Sequence, residues 1–137
     1  MKALYPPLSY ALFIAISIAV LSLILISING FVEGLEKNYA YKSLDYVAES
    51  IKNEILRLYS TGAEGKFQLF LPEEIVRKKY MIELSQNNLT VSLSFKGENM
   101  EVKRFINITA TLNGSSYIPA SIEMRKSSGN IFIELVK

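Results

Sequence analysis

The chain has no cysteine, no histidine and no tryptophan. Zinc sites built on Cys or His ligands are thereby excluded, as are thiol nucleophiles and His-based triads. Without cysteine there is no disulfide, so an exported domain has only its own core to hold it together. Charge is scarce at the start: residues 1–30 carry a single one, Lys2. The remainder mixes both signs to a formal net charge of +2. No concentrated basic surface results, and no nucleic-acid partner is expected. The densest basic run, Arg77-Lys78-Lys79, reads as a solvated turn or helix face. Beyond the first 60 residues 77 remain, enough for one small domain.

What is present in place of early charge is "MKALYPPLSYALFIAISIAVLSLILISING". Leu8 to Ile28 is 21 residues without a charge. As a helix it is roughly 31 Å long, the thickness of a hydrocarbon core. The apolar run is longer than that of a secretory signal, and Ser27-Ile28-Asn29-Gly30 lacks an A-x-A-like cleavage site. Pro6-Pro7 suits a helix start, where the N–H groups have no partner anyway, and leaves "MKALY" as an exposed, extended tail. Within the span Ala11, Ala15 and Ala19 recur every four residues, a small-residue stripe of the kind that lets helix backbones approach closely. Gly30 and Gly34 carry the spacing of a GxxxG motif but enclose Glu33, and read as a flexible point at the end of the span.

The helical pattern continues. Leu35, Tyr39, Ala40, Leu44, Val47, Ala48, Ile51, Ile55, Leu58 and Tyr59 follow the three-and-four spacing of an amphipathic helix. Ser60-Thr61-Gly62 supplies a stop. One helix is expected from Pro7 to about Tyr59, apolar all round in its first half and on one stripe in its second.

The rest alternates with period two. Strands are expected at "KFQLFLP", "YMIELS", "LTVSLSFK", "RFINITATL", "ASIEMRK" and "NIFIELVK", with "EEIVRKK" a short helical or turn segment and Ser127-Ser128-Gly129 a hairpin turn. Polar outer faces imply an antiparallel sheet packed on one side, and the amphipathic half-helix is the obvious cover. The fold class is therefore α+β: a long N-terminal hydrophobic helix continuing into an amphipathic half, packed on a small antiparallel β-domain, in outline a β-sandwich. The expected divisions are a short leader at 1–3, the helix at 4–60 with a membrane span at 8–28, and a β-rich ectodomain at 61–137.

Three Asn-x-Ser/Thr sequons, at Asn88, Asn107 and Asn113, lie in the β-rich part, as surface N-glycans of an exported domain require. The acidic pairs Glu33/Glu36, Glu73/Glu74 and Glu98/Glu101 have no His or Cys partner, and Glu73-Glu74 suits the first turn of a short helix. There is no Gly-rich phosphate loop. Neither enzymatic activity nor a metal or cofactor is expected.

On these residues the chain resembles the archaeal type IV pilin and archaellin-like superfamily, made with class III signal peptides. Lys2-Ala3 before Leu4 fits the family's charged residue and small residue at the cleavage point, with a leader of three residues and Ala where Gly is commoner. "YPPLSYALFIAI" looks like the Pro-bearing helix starts of archaeal pilins. Bacterial pilins carry Glu as the fifth mature residue; Leu8 stands there, which favours the archaeal branch. The resemblance implies processing between Ala3 and Leu4 by a prepilin peptidase. It also implies membrane insertion before assembly, extraction by an assembly ATPase, and self-association into a helical filament at the cell surface with the β-domain outside. Insertion scales give the 13 Ile, Leu, Val and Phe residues of the span about 4–8 kcal/mol of membrane preference. Ala11, Ala15 and Ala19 are the expected helix-packing positions. The alternative is a single-span surface or accessory protein whose β-domain binds another envelope component.

Overall fold

A computed structural model describes residues 6–137. The expected processing pair, Ala3 and Leu4, lies outside the described residues.

One helix, α1, covers Pro6–Thr61, 56 residues, and passes through Gly30 and Gly34 without a break. It stops where the sequence signals a stop. The Gly62 N–H donates to the Leu58 carbonyl (3.0 Å), and the hydroxyls of Ser60 and Thr61 turn back onto the Arg57 carbonyl at 2.9 and 3.0 Å. The Gly62 bond satisfies one of the carbonyls that the end of a helix otherwise leaves open.

The chain divides into two compact units, one ending at Glu36 and one spanning Lys37–Lys137. In the first, every residue of α1 from Pro6 to Glu36 is exposed. The second holds the rest of α1 and seven strands: β1 (Gly65–Gln68), β2 (Met81–Gln86), β3 (Asn88–Phe95), β4 (Glu98–Phe105), β5 (Thr111–Tyr117), β6 (Ser121–Ser127) and β7 (Asn130–Val136). The division falls within the helix rather than at its end because the second half of α1 shares the sheet's core. Ala40, Leu44, Val47, Ala48, Ile51, Ile55 and Leu58 are buried, following the expected stripe. Leu35 and Tyr39, the first two positions of that stripe, are exposed.

The strands form a single sheet in the order β1-β6-β7-β5-β2-β3-β4. The β-sandwich outline is corrected: the second layer is the half-helix. All pairs are antiparallel except β5 with β7. Ile82, Leu84, Leu89, Val91, Leu93, Ile122, Met124 and Ile133 join the helix stripe in one core cluster. Full burial of such side chains stabilises by about 1.5–3 kcal/mol each. The β6–β7 hairpin turns at Ser128-Gly129 with φ of 51° and 81°, the paired left-handed conformation that a two-residue hairpin favours.

Two further expectations are corrected. "RFINITATL" is not one strand: β4 ends at Phe105 and β5 begins at Thr111. Between them Ile106 and Ile108 are still buried, so the alternation reports burial without a ladder. The segment passes the β2–β3 turn, where the Ile106 N–H donates to the Asn87 carbonyl (2.8 Å), and carries the chain from the β4 edge to β5 beside β2. Glu73-Glu74 do not open a helix. They precede a tight turn in which Ile75 and Lys78 exchange two backbone hydrogen bonds of 2.9 Å, with Val76 and Arg77 at positive φ. Arg77, Lys78 and Lys79 are exposed on this turn.

Candidate functional site

Within the first unit, Leu8 to Ile28 presents a charge-free, largely apolar cylinder. An 18-residue window of α1 has a mean hydropathy of 2.9, and none of it is buried. Leu12, Phe13, Ile16, Leu23 and Ile26 are all more than half exposed. Soluble monomers rarely expose a contiguous apolar surface of this extent, and the helix is long and apolar enough to cross a membrane. Two of its serine hydroxyls are satisfied by the helix itself. Ser17 donates to the Phe13 carbonyl and Ser22 to the Ile18 carbonyl, both at 2.8 Å, so neither needs water. Ala11, Ala15 and Ala19 are exposed, spaced one helical turn apart.

The second unit carries a groove of about 740 Å³ between the back of α1 and β1 with the residues that follow it. Tyr46, Ser50, Glu54 and Arg57 line it from the helix, and Phe67 and Phe70 from the other wall. Phe70 is 90 % exposed and Tyr46 is 67 % exposed. Glu54 and Arg57, three residues apart, form a two-point ion pair of 2.5 and 3.0 Å. Hydrogen bonding from Arg57 holds the Glu54 carboxyl below its ordinary pKa. No sequence motif marks this groove. Its one signal in the helix pattern is Tyr46, an aromatic off the buried stripe.

The three sequon asparagines are all exposed, in different settings. Asn88 opens β3, opposite Ser85 on one side and Phe105 on the other. Asn113 lies in β5 between Ser85 and Glu134, and its Oδ1 accepts the Gly114 N–H at 2.8 Å. Asn107 lies in the connection between β4 and β5, outside any strand.

The acidic pairs are not assembled into a site. Glu98 bonds Lys37 at 2.9 Å and Glu101 bonds Lys103 at 3.1 Å. Among the described residues no three of His, Cys, Asp and Glu are grouped as metal ligands. Among the described residues the one strongly shifted group is structural in its setting. Tyr80 is buried, which pushes its phenol up to about 12, and its hydroxyl donates to the Pro72 carbonyl (2.5 Å). That bond ties the 72–80 loop to the start of β2.

The model of a family of unknown function, DUF7266, matches residues 1–136, and the chain belongs to that family. No curated protein and no solved structure matches it.

Proposed function

We propose that this member of the DUF7266 family is the structural subunit of a type IV pilus-like surface filament, with its N-terminal apolar helix held in the membrane before assembly and its β unit outside the cytoplasm. The observation that carries this reading is the 18-residue window of mean hydropathy 2.9 with no buried residue, on a helix whose second half is built into a packed domain. Such a helix has two stable environments, lipid and a bundle of its own copies. The exposed Ala11/Ala15/Ala19 row supports the second as well as the first, since small residues let helices approach.

The experiment separates sheared extracellular material from membranes of the native cells and follows the chain in both, with electron microscopy of the sheared fraction. Chain recovered in filaments supports the reading. Chain confined to membranes, with no filaments containing it, overturns it.

A second reading is a membrane-anchored surface protein whose β unit docks another envelope component. It is favoured by the groove beside α1 with Phe70 90 % exposed at its wall, an aromatic in the position of an interface anchor. Phe70→Ser separates the two. It leaves a helix-driven filament in place, and it releases a partner held at the groove.

A further inference from the structure

The three sequons are equivalent as sequence and inequivalent as structure. Glycan transfer reads two side chains, the Asn carboxamide and the hydroxyl two residues on, and it needs both exposed together on a surface segment outside the strand ladders. Asn88-Leu89-Thr90 is laddered on both sides, to β2 and to β4. Asn113-Gly114-Ser115 is laddered to β2 throughout and to β7 at Asn113. Presenting either would break the sheet across several strands.

Asn107-Ile108-Thr109 belongs to no ladder. The Ile108 N–H donates to the Ile106 carbonyl at 3.1 Å, which closes a three-residue turn with Asn107 at its apex. Asn107 and Thr109 are both exposed while Ile106 and Ile108 are buried on either side of the apex. The two buried isoleucines hold the turn in place, so the carboxamide and the hydroxyl are presented together from a fixed base. Beside it lies an open hollow of about 290 Å³, lined in part by Thr109, Asn87 and Asn130, with amide and hydroxyl groups suited to a sugar.

We propose that Asn107 is the N-glycan acceptor of the folded β unit, and that Asn88 and Asn113 stay bare. In the transfer, Nδ2 of Asn107 attacks C1 of a sugar carried as a lipid-linked phosphate ester. The C1–N bond forms, the C1–O bond to phosphate breaks, and the lipid phosphate leaves with the electron pair. The amide proton passes to a base of the transferase. The glycan then stands at the end of the sheet where the chain crosses from β4 to β5. The inference rests on the β unit being outside the cytoplasm, as in the proposed function.

The test is peptide mass spectrometry on the chain isolated from native cells, alone and as Asn107→Gln, Thr109→Ala, Asn88→Gln and Asn113→Gln, together with protease treatment of intact cells. The expected result is complete loss of the glycan mass in both Asn107→Gln and Thr109→Ala and its full retention in the other two. Two substitutions on different residues of one sequon keep a folding defect of either from imitating the effect. A bare Asn107, or occupancy at Asn88 or Asn113, in a β unit that protease reaches from outside overturns the inference and leaves the export reading standing. A β unit that protease cannot reach on intact cells overturns the export reading, and this inference with it.

Discussion

Gly114 packs its α-carbon directly against the backbone of Leu135. A Cβ added there would lie 2.5 Å from the Leu135 carbonyl oxygen and 2.9 Å from its nitrogen, and the residue has φ +115°. Both the space and the conformation therefore demand glycine. This is the contact that lets β5 and β7 run side by side as the sheet's parallel pair.

Gly114→Ala is expected to destabilise the β unit by on the order of 3 kcal/mol, from a strained backbone combined with a clash against main chain that cannot move aside. Gly129→Ala is the control. Its φ is +81° but nothing lies within 4 Å of the new atom, so the expected cost is about 1 kcal/mol. Denaturant unfolding of the full chain in detergent checks both. Equal costs at the two sites would remove the role assigned to the Leu135 contact.

Arg104 reaches from the β4 edge to α1, pairing with Asp45 and, at 3.3 Å, with Glu49. The groups are about a third to a half exposed, so screening keeps the pairs weak. Arg104→Gln is expected to cost about 1 kcal/mol at low salt and less at high salt. Stability measured against ionic strength reads this directly. A cost that does not change with salt would mean that Arg104 acts through packing of its stem.

Tyr80 donates its hydroxyl to the Pro72 carbonyl, and burial raises its phenol to about 12 from an ordinary 10. With the folded value above the unfolded one, this group's contribution is complete below pH 10. It is lost as the pH rises from 10 through 12, because the unfolded chain ionises first. Tyr80→Phe should lose about 1 kcal/mol at neutral pH with the hydrogen bond and flatten the alkaline decline. A wild-type stability profile level between pH 10 and 12 would contradict the assignment.

Ala15→Leu keeps the apolar span hydrophobic, so membrane insertion should survive. It adds bulk where copies would meet, and overpacking typically costs about 1–3 kcal/mol per site. In a filament every subunit bears that cost. The readout is the ratio of filament to membrane-retained chain at matched expression. Filaments unaffected by Ala11→Leu, Ala15→Leu and Ala19→Leu together would reduce the stripe to ordinary membrane-helix composition.

Processing between Ala3 and Leu4 is tested by the N-terminal peptide of the assembled chain. Leu4 is expected as its first residue. Met1 alone in sheared filaments would exclude cleavage there.

The helix was legible in the sequence because its signals are local. Absence of charge marks the span, three-and-four spacing marks Ala40 to Leu58, and Ser60-Thr61-Gly62 marks the stop, each set by neighbours within a few residues. The β6–β7 hairpin was legible for the same reason. What escaped was decided by distant partners. β4, with only Met100 and Val102 as inward apolar residues and Arg104 turned toward α1, lacks an apolar alternation because it is an edge strand. β5 hides its inward face in Gly114 and Ser116, residues chosen by the closeness of Leu135 and by a hydroxyl that donates to the Tyr117 carbonyl. The "RFINITATL" run kept its alternation and lost its ladder because strand pairing is a property of the sheet order, which no window of sequence contains. The same holds for the sequons. Composition marks three asparagines, and only the ladder distinguishes the two held in strands from Asn107 on its turn.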